Sequence, residues 1–528
     1  MTVDTTSESL GDNESIRWWR EKPVWIMLFL GFSAGIPILL IFSSLSLWLL
    51  EAGVERSTVT YFSWAVLGYS FKFVWAPLVD RVPIPVLTNL FGRRRAWMLL
   101  SQFAIIGAIL LMAFTDPKNG LWAMAIAAVL LGFSSATQDI VIDAYRIESA
   151  VPRLQAMLSS TYIAGYRVGM ILAGAGALHW AEDFGSTAES YSFLAWHQTY
   201  LVMASFMLVG VITTLLISEP KSVVDQREYE TADYASFFAV FLGSICCFIL
   251  ALVWLPSAPD LFDGGWQNVI AFLWGATEML LALLAAYMFA RLCLRVNLVN
   301  RDLVQTGYVG PIEDFLSRYG KLALWVLLLV GFYRISDIVL GVISNVFYAD
   351  MGYTKKDIAN VSKVFGVVMT ITGAFIGGII ALRIGVMRTL FWAAILVVIT
   401  NLLFLWLTSV GSNFTYFTLS YPALIGGGEL QLPQELILVI VFDNLVQGIS
   451  LAAFIAWLSS LTNVSFTATQ YALFSSVMTL FPKFLGGYSG TLVEMFGYHN
   501  FFIFASLLGI PIVFLVHFLA GKLEFKNT

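Results

Sequence analysis

The sequence predicts an all-α polytopic membrane protein with fourteen spans: two six-helix bundles and a two-helix insert between them. Three observations predict it. Of the 528 residues, 59% are hydrophobic and only 12% are charged, where a soluble domain carries roughly 25% charged residues. No soluble fold of this size hides that much apolar side chain, so the bilayer must serve as solvent. The apolar residues also recur in blocks long enough to cross a hydrocarbon core, about 20 residues each. Finally, the Lys and Arg residues between those blocks segregate to one side.

The predicted spans lie near 24–50, 58–79, 96–114, 121–144, 156–178, 197–217, 235–256, 267–290, 321–347, 358–382, 387–408, 435–459, 468–490 and 498–520. The polar segment 1–23 reads as an N-terminal tail without a cleavable signal, because the first apolar run, Pro23 to Leu50, exceeds a signal h-region. With that tail in the cytoplasm, cytoplasmic segments hold twenty of the 29 Lys and Arg and the opposite face holds four. Both termini are therefore expected in the cytoplasm, with 521–528 as the second tail. Segments 218–234 and 291–320 are the longest polar stretches on that side. They bracket the hairpin 235–290, and 218–320 reads as a linker carrying it. Bundles at 24–217 and 321–520 then remain, the layout of a transporter built from two related halves. The core spans are counted first to twelfth with the hairpin left out.

Composition excludes several functions. The net charge of −5 gives no basic face for nucleic acid. Cys246, Cys247 and Cys293 lack zinc spacing, and His179, His197, His499 and His517 are scattered, so neither metal nor cofactor is expected. Gly426-Gly427-Gly428-Glu429 has no following Lys-Ser or Lys-Thr and is no phosphate loop. The sequence does not read as an enzyme.

Nine charged residues fall inside core spans: Lys72, Asp139, Asp143, Arg167, Arg334, Asp337, Lys363, Asp443 and Lys483. Facing lipid, they would cost on the order of 20–30 kcal/mol together. They must face protein or a water-filled cavity. The carboxylates lie on the fourth, seventh and tenth core spans. Four of the five bases lie on the second, fifth, eighth and eleventh. Asp139 and Asp143, four apart, share a helical face, and Arg334 can pair with Asp337 three residues on. Five bases against four acids leave one surplus positive charge, which suits an anionic solute. Phe32, Trp64, Tyr69, Phe71, Tyr162, Tyr166 and Tyr333 are placed to stack on sugar rings.

The family resemblance given below implies a proton-driven carrier, which needs a carboxylate that loads on one side and unloads on the other. Asp139 and Asp143 form a like-charge pair in which one acid readily holds a proton, so they rank first for that role. Asp443, which stands alone on its span, ranks second, and Asp337 is mainly structural. Arg167, Arg334 and Lys363 are the expected carboxylate ligands, with Lys72, Lys483 and Tyr166 beside them.

Two loops repeat a pattern. One reads Ala76-Pro77-Leu78-Val79-Asp80-Arg81, then Gly92-Arg93-Arg94-Arg95; the other runs from Gly378 to Arg383, then Gly385 and Arg388. They occupy equivalent positions in the two halves. They resemble the cytoplasmic loop signature of the major facilitators, G-x-L-A-D-R-x-G-R-R, with Ala76 for the first Gly and ten residues between Arg81 and Gly92 where the signature has one. Asp80, Arg81, Gly92, Arg93, Arg94, Arg95 and Arg383 are thereby expected to form a conformational switch. The pairs Gly165/Gly169 and Gly373/Gly377 are GxxxG motifs. The resemblance implies that they meet where the fifth and eighth spans cross.

Longer stretches are similar to one branch, the AmpG muropeptide permeases. They are Gly31 to Pro37, Phe71 to Arg81 with Phe91 to Arg95, Ser134 to Ala144, Gly165 to Met170, and Ser465 to Leu473. The resemblance implies the major facilitator fold and alternating access in a bacterial inner membrane. It also implies import of N-acetylglucosamine-anhydro-N-acetylmuramic acid bearing stem peptides, with protons as the coupling ion. That import serves peptidoglycan recycling and, in many species, β-lactamase induction and so antibiotic resistance. The protein is expected to act as a monomer. Here the extra pair of spans lies between the halves, where family members can carry it at the C-terminus. Another anionic solute such as acetyl-CoA, or a non-transporting assembly or sensor role on the same scaffold, are the alternatives.

Overall fold

The computed structural model describes residues 18–55, 58–59, 62, 65, 67–187, 190–220, 229–256, 265–410, 415–421, 428–486 and 489–524. With Pro37, Pro482 and Pro511 accommodated inside three of them, the long apolar runs form helices. They are α1 (Lys22–Glu51), α2 (Leu67–Phe71), α3 (Ala76–Arg81), α4 (Arg93–Ala113), α5 (Leu121–Glu148), α6 (Gln155–Ile171) and α7 (Phe193–Leu216). The hairpin helices α8 (Thr231–Trp254) and α9 (Gly265–Arg295) follow, then α10 (Gly310–Tyr319). After them come α11 (Ala323–Phe332), α12 (Ile335–Asp350), α13 (Gly366–Ile384) and α14 (Val386–Val410). Strands β1 (Tyr416–Tyr421) and β2 (Gly428–Pro433) form an antiparallel pair with Phe417 opposite Leu432. The chain ends with α15 (Gln434–Leu461), α16 (Thr467–Gly486) and α17 (Ser489–Glu524).

Among the described residues, eleven helices are long and apolar enough to cross a membrane. Three of the fourteen predicted spans are not among them. The stretch 58–79 is only partly described and turns through a 3-10 segment at Lys72–Val74. The stretches 156–178 and 468–490 are helical, but polar residues such as Ser159, Ser160, Thr161, Arg167, Gln470 and Ser475 dilute them. The ninth predicted span joins the preceding linker helix in one element, Arg301–Asp350.

Close packing follows the small residues. Helix α1 lies along α6, and α13 along α15. A Cβ at Gly165 would strike the Leu28 carbonyl, and one at Gly31 the Tyr162 carbonyl. Gly373 sits likewise against Leu445. The GxxxG pairs therefore seat α6 on α1 and α13 on α15, not α6 on α13 as expected. Glycine packs where backbones come nearest, and those contacts lie within each group of helices. Helices α6 and α13 do meet, through Ser160, whose hydroxyl donates to the Ala374 carbonyl at 2.6 Å, and through Gly378.

One apolar cluster lies before residue 208 and one after 314, while a third joins the N-terminal helices to Phe237, Leu303 and Ala472. The hairpin α8–α9 stands apart, with only 11% of each helix's most apolar window buried, against 39–67% in the other candidate spans. It touches the rest mainly at one end, where Phe237 packs on Tyr308 and the Tyr229 hydroxyl donates to Asp302 at 2.6 Å.

Candidate functional site: an intramembrane charge cluster and a gate

The charged residues gather into three groups. The first is built on α5. One helical face presents Asp139, Asp143 and Arg146, at spacings of four and three. The 3-10 turn after α2 swings Lys72 onto it: its ammonium lies 3.8 Å from Asp139 and 3.7 Å from Asp143. The Tyr162 hydroxyl of α6 donates to Asp139 at 3.1 Å. Arg146 donates to Asp143 at 3.1 Å and is fully buried. Signs thus alternate along the cluster, which allows buried charges to persist. Tyr69 hydrogen-bonds Ser135 beside it.

Arg146 lies just past the predicted span 121–144, yet the helix runs on to Glu148 and buries it. Besides Asp143 it donates to Ser159 at 3.1 Å and to Ser459 of α15 at 2.8 Å. Its guanidinium also lies 5.1 Å from the ring centroid of Tyr471 on α16. The signal was available in the sequence, since Arg146 continues the face of Asp139 and Asp143.

The second group joins the two sides of the molecule. Arg167 of α6 and Arg334, at the break between α11 and α12, are within electrostatic reach of each other. Arg334 lies 3.8 Å from Asp337, as its spacing predicted. Among the described residues Arg167 has no carboxylate partner. Asp443 of α15 does not stand alone: Gln447 donates to it at 2.8 Å, and Asp337 lies within electrostatic reach. Lys483 is exposed and within reach of Lys72. The side chain of Lys363 lies outside the described residues, as does Trp64. Tyr333 is not in a cavity: it is buried, stacks on Phe454 and donates to the Leu390 carbonyl at 3.2 Å. Tyr162 and Tyr166 remain beside the charges, their ring centroids 6.0 Å apart.

The third group lies at the Arg-rich end, around Asp80 and Arg94. Arg94, 1% exposed, bridges Asp80 at 2.9 Å and Glu148 at 2.6 Å. Asp80 then reaches across to the first turn of α16. It accepts from the Ala468 amide at 3.2 Å, and from the Thr469 amide and hydroxyl at 2.7 Å each. A carboxylate at a helix N-terminus satisfies amides that have no partner within the helix. Burial works against the Asp80 charge, but Arg94 and the Thr469 hydroxyl outweigh it and hold its carboxyl below the usual 3.8. Arg93 donates to the Asp80 carbonyl at 2.7 Å. Arg81 covers Phe466 and donates to the Thr306 carbonyl at 3.3 Å. Arg95 is held by the Thr214 carbonyl at 3.0 Å. Gly92, at φ 88°, opens α4 so that the Arg94 and Arg95 amides meet the Glu219 carboxylate at 2.7 and 3.0 Å. Glu148, Glu219 and Thr469 were missed from sequence because their partners lie 54 to 389 residues away. Arg383, in the second loop, is exposed and makes no ion pair among the described residues.

Two apolar hollows lie elsewhere, between Trp25 and Ile212 and between Phe62 and Trp122. Exposed apolar side chains there, such as Trp122 at 85%, mark a lipid-facing surface. The charge clusters locate the chemistry better than these grooves do.

The comparisons agree with this architecture. A Rickettsia conorii transporter named AmpG 4 is 28% identical over 506 residues, covering 96% of this chain and 98% of that one. The anhydromuropeptide permease of Escherichia coli K12 is 27% identical over 517 residues, covering 98% of this chain and 83% of that protein. The solved E. coli fucose:proton symporter shares the fold at TM-score 0.57 and 9% identity, over 94% of this chain and 97% of that one. The proton:xylose symporter does so at 0.53 and 12%, over 93% of each. The Major Facilitator Superfamily model matches residues 27–312. With over half the chain inside that match and the helices packed as described, this multi-pass membrane protein belongs to the Major Facilitator Superfamily, a family of transporters rather than enzymes.

Proposed function

We propose that this secondary transporter imports anhydro-muropeptides, the disaccharide with its stem peptide, from the periplasm into the cytoplasm by proton-coupled alternating access. The observation that carries the reading is the pair Arg167 and Arg334. Two guanidiniums from opposite sides of the molecule lie within electrostatic reach of each other, and among the described residues Arg167 has no carboxylate partner. Such a pair binds the free carboxylates of a peptide bidentately. Lys363, Lys72 and Lys483 add positive charge, and Tyr166 supplies a ring face for a sugar. The likeness to an anhydromuropeptide permease supports the same substrate.

In this reading the chain has fourteen spans in two six-helix bundles, 24–217 and 321–520, joined by 218–320. It lies in a bacterial inner membrane as a monomer, with the Arg-rich end and both termini cytoplasmic. The closed gate at Asp80 and Arg94 then makes this the state open to the periplasm, ready to load. Asp80, Arg81, Gly92 and Arg93 to Arg95 form the switch, and Arg383 belongs to its second copy. Asp139 or Asp143 carries the proton, Asp443 ranks next, and Asp337 holds Arg334.

Labelled anhydro-disaccharide tripeptide uptake into proteoliposomes, with and without a pH gradient, tests the reading. Arg167→Gln and Arg334→Gln should each raise KM by about 10- to 100-fold, the worth of a hydrogen bond to a charged group. Neutralising Lys22 or Lys526 should not. Equal effects at all four positions, or uptake of acetyl-CoA instead, overturn the substrate assignment. Asp139→Asn or Asp143→Asn should lose gradient-driven uptake yet keep gradient-free exchange. If both keep driven uptake, the proton assignment is wrong.

A further inference from the structure

The first turn of α16 receives three separate holds on four consecutive residues. Ala468 and Thr469 are held by Asp80. Gln470 donates to Asp314 and to the Pro311 carbonyl of the linker, both at 2.8 Å. Tyr471 lies under the Arg146 guanidinium. The first two holds belong to the gate surface. The third comes from the end of the Lys72–Asp139–Asp143 cluster.

We propose that Arg146 is a positioning residue that transmits the charge state of the Asp139–Lys72–Asp143 cluster to the first turn of α16, and thereby sets whether the cytoplasmic gate can open. This rests on the proton-coupling reading above and extends it. Arg146 has two opposed sets of partners. On its own helix it donates to Asp143; across the interface it donates to Ser459 and covers Tyr471. Its Nε is buried without a partner, so the guanidinium is incompletely satisfied where it sits. A buried arginine that loses its one carboxylate is left with an uncompensated charge, a penalty of several kcal/mol that drives rearrangement. Protonating Asp143 does this, because the acid then no longer balances Arg146. The groups facing Asp143 are Lys72 from the turn after α2, Asp139 and Arg146 on α5, Tyr162 from α6 and Tyr471 from α16. Among them, Arg146 alone donates across to α15. Loss of its position frees Tyr471, and with it the turn that Asp80 caps.

The test is a spin-label distance between Leu90→Cys and Val464→Cys, both exposed at the gate. The background replaces Cys246, Cys247 and Cys293 with Ser. Acidification that discharges the cluster should lower the closed-to-open ratio by about tenfold, the fold-change that corresponds to about 1.4 kcal/mol. Asp143→Asn should open the gate at pH 8 to a similar degree. Arg146→Gln should reduce both responses to less than about twofold, and Arg146→Lys should restore part of them. A purely structural arginine would change the resting ratio but leave both responses intact. Full responses in Arg146→Gln overturn the proposal, as does a gate that neither acid nor Asp143→Asn moves. If acid alone has no effect while Asp143→Asn still opens the gate through Arg146, the transmission stands and the proton-coupling reading falls. Should Arg146→Gln fail to reach the membrane, Tyr471→Leu carries the test, since it removes the ring but leaves the ion pair. A full response there also overturns the proposal.

Discussion

The loop of residues 76–95 and the loop of residues 378–388 carry related sequences at equivalent positions, yet they hold the molecule by different physics. The first is a polar lock. Asp80 caps α16 from across the interface, and Arg94 ties Asp80 to Glu148 behind it. The second is an apolar seam. Ala381 packs with Ala156 and Ala456, and Gly378 abuts Ser160 and Met157. Both loops turn on a glycine at positive φ, 88° at Gly92 and 87° at Gly385. The difference is the acid: Asp80 has no counterpart between Gly378 and Arg383. A lock of charge-assisted hydrogen bonds holds at one geometry and releases when that geometry is lost. Small apolar residues in close contact tolerate a small rotation and suit a pivot. We propose release at the α3–α16 seam and rotation at the α6–α13 seam.

Four substitutions break or sharpen this contrast, in descending order of expected effect. Arg94→Ala leaves Asp80 and Glu148 buried without their base, so it should cost about 3–5 kcal/mol of stability. Thermal unfolding in detergent reads this out, and a loss within 0.5 kcal/mol would remove Arg94 from the lock.

Asp80→Asn keeps the shape and removes the charge. It should shift the closed-to-open ratio by about 10- to 100-fold, since hydrogen bonds to a charged group contribute roughly 1.5–3 kcal/mol together. The same residue fixes a pH expectation. Its carboxyl is held below 3.8 in the closed state. Stability from such a depressed acid is present above the unperturbed value and lost as pH falls through the lowered one. The lock itself should therefore be unchanged between pH 8 and 5 and weaken only below about 3.8. Any acid response in that range in the wild type must come from another group, which Asp80→Asn should leave in place.

Gly378→Val adds bulk to the apolar seam, where a Cβ would already fall 2.5 Å from the Ser160 hydroxyl. Overpacking of this kind costs about 1–3 kcal/mol. It should spread α6 from α13, measured as a longer label distance across that seam, while the α3–α16 distance stays closed. Opening at both seams would show that they are one unit. Last, Arg383→Ala should change stability by less than about 0.5 kcal/mol, because Arg383 is exposed and makes no ion pair among the described residues. A loss comparable to Arg94→Ala would mean that the second loop also locks.

Patterning by itself determined that the chain crosses a membrane many times and that its intramembrane charges are sequestered. Both follow from local quantities, the length of an apolar run and the cost of a charge within it. The pairing of Arg334 with Asp337 and the common face of Asp139 and Asp143 were legible too, because helix geometry relates residues three and four apart. The partners of those faces were not legible. Gly165 and Gly169 announce a close helix contact but do not say with which helix, and the tertiary structure chose α1. Arg146 reads as one more positive residue near a loop until α15 and α16 close over it. Asp80 and Thr469 are 389 residues apart and meet only when the two sides of the molecule pack. Short-range spacing is encoded by the helix itself, whereas contacts between helices depend on which surfaces fit once all of them are assembled. The contacts that Asp80 and Arg146 make across the molecule lie in that second class.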